Sequence, residues 1–416
     1  MARLKNIFGF FLLACSGMAG AANTVCEVSY STRNDWAGGF VLDVRVANSG
    51  AAPVSDWKVV LQYGQTVTAT SAPWRADVST SGGTVTAIDN GATPVLAAGA
   101  SLTFGVPLTY SGSVKPTPSS VTVSGQGCVL PEVFYADPNA NAALWVKANP
   151  ADSRMPAIRD NLAHQAAARW FGNWSGEIGA AVGGYVGSAS ALKQTPILVA
   201  YNIPGRDCGQ YSSGGAASTA AYKLWIHAFA AAVGARKAVV ILEPDALPQL
   251  DCLDAPGQAA RLELFQYAVA QFHALAPKAW LYLDAGNSHW LSSSVAASRL
   301  IQAGIQNAHG FSLNVSNFSS SDASAVYGDA VKAALKAQQG VERAYVVDTS
   351  RNGNGRANDE WCDPAGRKIG TRSVEHLGGQ HAEMSLWIKA PGNADGCAAK
   401  AGTFSPDLAY KLIYGY

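Results

Sequence analysis

The run Ala238-Val239-Val240-Ile241-Leu242, closed by Glu243-Pro244-Asp245, decides how the larger part of this chain folds. Short apolar runs of this kind, alternating with Ala-rich helical stretches, are the signature of repeated βα units and a parallel sheet. Thr219 to Val233 before it and Ala259 to Leu275 after it carry apolar residues at three- and four-residue spacing, the helical period. The same alternation supplies the runs Pro196 to Tyr201, Trp280 to Leu283, Gly310 to Val315, Ala344 to Val347 and Met384 to Ile388. Residues 131–416 are therefore predicted to form an α/β domain, a distorted parallel β/α barrel. In such a barrel the loops after the strand C-termini build the active site.

Upstream the texture differs. From Val25 to Cys128 the chain is rich in Val, Thr, Ser and Gly, with alternating runs such as Phe40 to Val46 and Thr66 to Thr70, separated by the turn clusters Asn48-Ser49-Gly50 and Ser81-Gly82-Gly83. Residues 23–128 are predicted to form an all-β sandwich. A length of 416 residues exceeds what one core organises, so two unequal domains are expected. Only Val129 and Leu130 stand between Cys128 and Pro131, too few for a long flexible linker.

Residues 1–22 read as an export signal: Arg3 and Lys5, then the apolar Ile7 to Ala14, then the small Gly20-Ala21-Ala22. The apolar run is too short to span a bilayer. Lipoprotein processing at Cys15 is the rival reading, and Leu13 fits it poorly. Cys15 leaves with the signal, and the six remaining cysteines suit an oxidising compartment. Six cysteines allow 15 pairings. Their positions suggest closures of Cys26 with Cys128, Cys208 with Cys252, and Cys362 with Cys397.

With 30 basic and 29 acidic residues interspersed, the net charge is +1, and no footprint for nucleic acid or an anionic membrane is present. A neutral substrate is expected, a monomer is the expected working state, and no cofactor is implied. Acidic residues follow the apolar runs repeatedly: Asp207, Glu243 and Asp245, Asp284, Asp348 and Asp395. Such a rim suits glycosidic cleavage, in which one carboxylic acid protonates the leaving oxygen while other carboxylates activate water or steady positive charge. The seven histidines show no ligand-pair spacing, which argues against a catalytic metal. Trp145, Trp170, Trp174, Trp290, Trp361 and Trp387 lie near predicted strand ends, where indoles stack on sugar rings, whereas Trp225 within a helix reads as core.

These residues fall into stretches that resemble glycoside hydrolase family 6. Val199 to Cys208 is similar to that family's signature, and Ile241-Leu242-Glu243-Pro244-Asp245 to its general-acid motif. Leu283 to Gly286, Asp348 to Gly353, Glu360 to Pro364 and Trp387 to Gly392 continue the match in order across roughly residues 131–416. The resemblance implies an inverting cellulase with Asp245 as general acid. Asp207 would keep Asp245 protonated and steady the oxocarbenium ion. Asp395 would be the base or its support, acting through a water chain that involves Ser213. Tyr201 would distort the sugar, Asp284 and Lys389 would bind substrate, and Trp145, Trp290 and Trp361 would stack on it. Inversion implies acid and base carboxyls roughly 6.5 to 9.5 Å apart. Asn287 departs from the histidine common after Asp-Ala-Gly. The Pro204 to Gly209 and Asp348 to Gly353 stretches are similar to open-cleft members that cut internally, which favours an endoglucanase. A cellobiohydrolase acting from chain ends, an enzyme for another β-glycan, and an inert cellulose-binding protein are the alternatives.

The first domain resembles a family 2 carbohydrate-binding module, through its terminal cysteines, Asn34-Asp35-Trp36 and Val54-Ser55-Asp56-Trp57. The resemblance implies a flat cellulose-binding face carrying Trp36 and Trp74, with Trp57 in the core. A third aromatic position falls in Asn90 to Pro94 and lacks tryptophan, so binding to crystalline cellulose is expected to be weaker than with three.

Overall fold

A computed structural model describes residues 26–112, 116, 118–128, 132–209, 212–356, 359–376 and 381–416. The export signal expected over residues 1–22 and Cys15 lie outside them. The chain divides into two compact units, with the division between residues 130 and 131.

Among the described residues the regular elements of the first unit are strands: β1 (Cys26–Trp36), β2 (Gly39–Asn48), β3 (Val54–Ser55), β4 (Lys58–Tyr63), β5 (Val67–Ala69), β6 (Asp77–Ser81), β7 (Thr84–Ile88), β8 (Val95–Leu96), β9 (Ser101–Tyr110), β10 (Pro118–Val123) and β11 (Gln126–Gly127). They form a four-stranded sheet in the order β1-β2-β9-β5, a five-stranded sheet β11-β10-β4-β7-β6 and the small pair β3-β8. Alternation explains the layering. Along β2 the even positions Phe40, Leu42, Val44 and Val46 are buried, and Leu102, Phe104, Val106 and Leu108 match them on β9. Trp57 is buried in this core, its indole N–H given to Thr93 O at 2.6 Å. Cys26 and Cys128 are joined by a disulfide.

The second unit is built on an eight-stranded sheet of order β12-β13-β14-β15-β16-β17-β19-β18, made of β12 (Arg169–Phe171), β13 (Ile197–Ala200), β14 (Ala238–Leu242), β15 (Ala279–Asp284), β16 (Gly310–Leu313), β17 (Ala344–Asp348), β18 (Val374–Glu375) and β19 (Met384–Leu386). Every pairing is parallel except β18 with β19. This curled, almost wholly parallel sheet agrees with the predicted distorted barrel, and the antiparallel β18 alone makes it mixed. Its ends meet at a seam, where the Ala168 N–H donates to Trp387 O and the Trp170 indole N–H to Ile388 O. Helices α1 (Asn141–Ala148), α2 (Met155–Ile158), α3 (Ile178–Ala191), α4 (Thr219–Val233), α5 (Ala255–Leu275), α6 (Ser293–Gln302), α7 (Ser321–Gln339) and α8 (Pro406–Tyr414) complete the unit.

Strand periodicity sorts two apolar layers. Leu198, Ala200, Val240 and Leu242 pack with Phe229 and Phe265 of the helices, whereas Ile197, Val199, Val239 and Ile241 join Tyr201, Tyr282 and Val346 inside the curl. Helix α4 begins where Ser218 caps Ala221 N, as its pattern predicts. Helix α5 starts one turn earlier than its apolar period, because Asp254 caps Gly257 N and proline sits in the first turn. The run Gly310 to Val315 stops pairing at Leu313, since Asn314 turns to φ 65.

Phe229 is fully buried against Phe171 at 5.7 Å, Trp225 at 5.4 Å and Phe272 at 5.8 Å. Phe229→Ala is expected to cost this unit about 3–5 kcal/mol, checked as a lowered urea midpoint by tryptophan fluorescence.

Candidate active site

The loops that follow the parallel strands enclose a cleft of ≈ 1390 Å³. Tyr201, Asp207, Ser213, Asp245, Trp290, Trp361, Lys389 and Asp395 all line it. Trp170 and Trp174 join them, with Arg206 and Gln249.

The backbone of these loops is unusual. Asp207, Cys208, Glu243, Asp245, Asn314, Ser316 and Asp363 all have positive φ, between 46 and 68. Such turns are costly for residues other than glycine and persist only when the surroundings hold them. The holders are carboxylates, Glu243, Asp284 and Asp348 buried and Asp363 half-buried. Glu243 accepts the Asn202 and Ile203 N–H groups, both at 2.9 Å. Asp284 accepts the N–H of Asp245 at 2.9 Å, that of Gly286 at 3.3 Å, and the Ser312 hydroxyl at 3.2 Å. Asp348 accepts from Ser316, Ser350 and Lys389 N–H groups, each at 2.9 Å. Asp363 takes Asp395 N at 2.7 Å, then Cys397 N at 3.1 Å and Ala398 N at 2.9 Å.

The expected rim of six carboxylates is therefore corrected to three. Asp207, Asp245 and Asp395 face the cleft, while Glu243, Asp284 and Asp348 are wholly buried beneath it. Asp284 in particular is not placed to touch substrate, because its oxygens are occupied with the turn that presents Asp245. Trp145 is also not among the cleft-lining residues; on α1 it packs against Phe404 at 6.0 Å, under the Arg154 guanidinium at 5.7 Å. Trp387 is core, giving its indole N–H to Thr371 O at 2.9 Å.

Asp245 sits half-buried, and among the described residues no donor reaches its carboxylate. Burial, then the neighbouring carboxylates Asp284 and Asp207, raise its pKa well above the usual range, against the pull of Lys389. Asp395 shows the reverse. Burial opposes its ionisation, but the Arg351 and Lys389 cations, each at 2.7 Å, hold its pKa down to about 2. The cleft thus holds two carboxyls whose surroundings act in opposite directions, Asp245 pushed toward its protonated form and Asp395 toward its ionised form.

Asp207 is fixed by Ser212 N at 2.7 Å and Gln249 Nε2 at 3.3 Å, and its loop is tied to the turn after β14 by the Cys208–Cys252 disulfide. Arg206 lies over the rings of Tyr201 at 4.8 Å and Trp174 at 5.0 Å. Trp174, Trp290 and Trp361 expose 56%, 40% and 44% of their surface, so indole surface stands along the cleft. Asn287 lines the cleft and turns its Oδ1 to the His289 N–H at 3.0 Å. Cys362 and Cys397 form a disulfide beside Asp395.

Sequence reading assigned no role to Arg351, Asp363 or Arg261. The first two lie inside quoted motifs. Arg261 left a legible mark, as the one charge on the buried stripe of α5 with Leu264, Phe265 and Phe272; it donates to Gly205 O at 2.9 Å and Pro204 O at 3.2 Å. Among the described residues no cluster of His, Cys, Asp and Glu could hold a metal ion, and no helix is long and apolar enough to cross a membrane.

On the first unit, Trp36 lies on Gly39 and Trp74 on Gly105, where a β-carbon would stand inside each ring. Gly39 and Gly105 are on the outward face of the adjacent strands β2 and β9, so both indoles share one sheet face.

Residues 129–409 match the family model for glycosyl hydrolases family 6, and residues 26–128 match that for a cellulose binding domain. Endoglucanase 1 of Streptomyces halstedii is 50% identical over 289 residues, covering 68% of this chain and 89% of that protein. Endoglucanase A of Cellulomonas fimi is 35% identical over 443 residues, covering 96% and 94%. The endoglucanase Cel6 from Mycobacterium tuberculosis, solved with a methyl cellobiosyl-4-deoxy-4-thio-β-D-cellobioside, superposes with a TM-score of 0.63 at 38% identity, over 68% of this chain and 97% of that one. The fold and its cleft are those of a glycoside hydrolase. The chain belongs to glycosyl hydrolases family 6.

The buried carboxyls leave a mark on stability. The pKa of Glu243 is raised from 4.5 to about 7, chiefly by burial. Folded protein therefore binds this proton more tightly than unfolded chain. The contribution is complete below about pH 4.5 and is lost as pH rises to about 7. Glu243→Gln is expected to flatten that part of the Tm-against-pH curve, measured by calorimetry between pH 4 and 8.

Proposed function

We propose that this chain is a secreted, inverting endo-β-1,4-glucanase that cleaves internal bonds of cellulose, with its first unit holding the enzyme on the polymer. The observation that carries the reading is a pair of carboxyls in one aromatic-lined cleft with opposite surroundings, Asp245 beside other carboxyls and Asp395 clamped by Arg351 and Lys389, which push their pKa values apart. The names of the relatives, both endoglucanases, support internal cutting. The sequence of residues 1–22 supports export.

In this mechanism Asp245 donates its proton to the glycosidic oxygen as the C–O bond breaks. Asp207, beside it, favours the protonated ground state and steadies the positive charge that develops on the sugar. Water adds to the anomeric carbon from the opposite face, and its proton passes along a water chain past Ser213 to bulk solvent, drawn by the negative charge of Asp395. A carboxylate held near pKa 2 is a weak proton acceptor, so Asp395 acts mainly through its charge. Tyr201 presses on the ring at the cleavage position, Lys389 binds hydroxyl groups, and Trp290 and Trp361 stack on flanking sugars. Asp284 and Trp145, given substrate contacts by resemblance, hold the scaffold instead.

Asp245→Asn is expected to lower kcat on carboxymethyl cellulose by about 10²–10⁴-fold while adsorption to cellulose stays intact. Undiminished turnover would remove Asp245 from the acid's role. On the same substrate the native chain should drop viscosity steeply while few reducing ends appear; a flat viscosity trace would favour a chain-end enzyme.

Asp207→Asn removes a negative neighbour and so lowers the pKa of Asp245. The alkaline limb of the kcat–pH profile should move to lower pH, the acid limb staying in place.

Trp36→Ala with Trp74→Ala should release the protein from insoluble cellulose, read as a fall in the bound fraction by depletion. Unchanged adsorption would place the binding face elsewhere. With no tryptophan between Asn90 and Pro94, two indoles carry that face, and binding is weaker than three would give.

A further inference from the structure

Apart from the cleft, three tyrosines gather on the last helix and the turn after it. Tyr410 and Tyr414 stand one turn apart on α8, ring centroids 4.8 Å apart. Gly415, at φ 85, turns the chain back and sets Tyr416 nearly parallel to Tyr414 at 6.1 Å, and 6.4 Å from Tyr410. Tyr414 and Tyr416 are 51% and 59% exposed. The core anchors of α8 are Leu408, Ala409, Leu412 and Ile413, on its other face, so the fold makes no demand for these rings.

Tyr416 also borders a second cavity, of ≈ 270 Å³, walled by α8 and the 363–367 turn. Ligand pockets for larger molecules run from about 300 Å³ upward, so this one has room for a single sugar ring. Its charged lining is balanced, Arg367 and Lys411 against Asp363 and Asp407, which suits a neutral ligand rich in hydroxyls. The Lys411 ammonium has no partner among the described residues. The cavity also touches Ala398, in the segment whose Gly396 and Lys400 line the catalytic cleft. One loop therefore separates the two concavities.

From this juxtaposition we infer that the tyrosine cluster and its cavity form a second glucan-binding site on the catalytic unit. It rests on the β-glucan reading above. The phenol faces take the C–H faces of successive glucosyl units, Lys411 and Arg367 donate to hydroxyls, and Asp407 accepts. A chain long enough to pass the 396–403 loop engages cleft and surface site together, and the second contact becomes intramolecular.

The test uses the full chain carrying Trp36→Ala and Trp74→Ala in every arm, so that retention reports the catalytic unit. Tyr414→Ala with Tyr416→Ala should weaken retardation in hydroxyethyl cellulose gels and raise KM on that polymer, each by threefold or more. The kcat should change less than twofold, and kcat/KM on cellotetraose, too short to reach both sites, less than twofold. Tyr414→Phe with Tyr416→Phe keeps the rings and should restore most of the retention. Unchanged retardation would overturn the site, and so would an equal loss on cellotetraose, which would show the tyrosines acting through the cleft or the fold. A parent chain that neither binds nor cleaves β-glucan would overturn both this site and the proposed function, whereas an active parent with unaffected tyrosine variants overturns the site alone.

Discussion

Backbone N–H groups bonded to buried carboxylates are the interaction on which the cleft rests. The buried Glu243, Asp284 and Asp348 and the half-buried Asp363 each gather N–H groups from neighbouring loops, and at several of these loops the backbone turns through positive φ. A left-handed turn at aspartate or asparagine leaves amides that no ladder satisfies, and water is excluded at this depth. A carboxylate accepts several at once, each such bond worth about 1.5–3 kcal/mol. Removing one would leave several donors unpaired in the protein interior, which explains why a small neutral residue would serve badly there.

The same arrangement sets the chemistry. Asp284 accepts the Asp245 amide N–H, and its proximity adds to burial in raising the pKa of the Asp245 carboxyl. Asp363 holds the turn of Asp395, and Arg351 with Lys389 neutralises it. Burial pushes both carboxyls up; carboxyl neighbours push Asp245 further in that direction, while the Arg351 and Lys389 cations pull Asp395 below the usual range. Loop geometry and protonation state are consequences of one buried layer.

The aromatic residues divide by a similar logic. Indoles that meet backbone acceptors inside, such as Trp57 and Trp387, serve the cores. Those resting on glycine or under an arginine at the surface stay exposed, as Trp36 and Trp174 do. An aromatic ring is equally apolar in both settings; what differs is whether the other side meets protein or water.

Reading residues alone, the alternation of apolar runs and helical periods determined the two units and the strands of the curled sheet, because burial imposes periods of 2 and 3.6 wherever one face meets a core. The motifs around Asp207, Asp245 and Asp395 likewise determined where the chemistry would gather, since each acid follows a strand end. What only the tertiary structure decided was which carboxylates look outward. Glu243, Asp284 and Asp348 end their strands or stand one residue past them, whereas Asp245, Asp207 and Asp395 come three, seven and nine residues after theirs, yet a linear pattern of acids after apolar runs puts all six on one rim. The distinction depends on the φ of neighbouring turns and on N–H groups brought from distant strands, quantities that exist only once the sheet has curled.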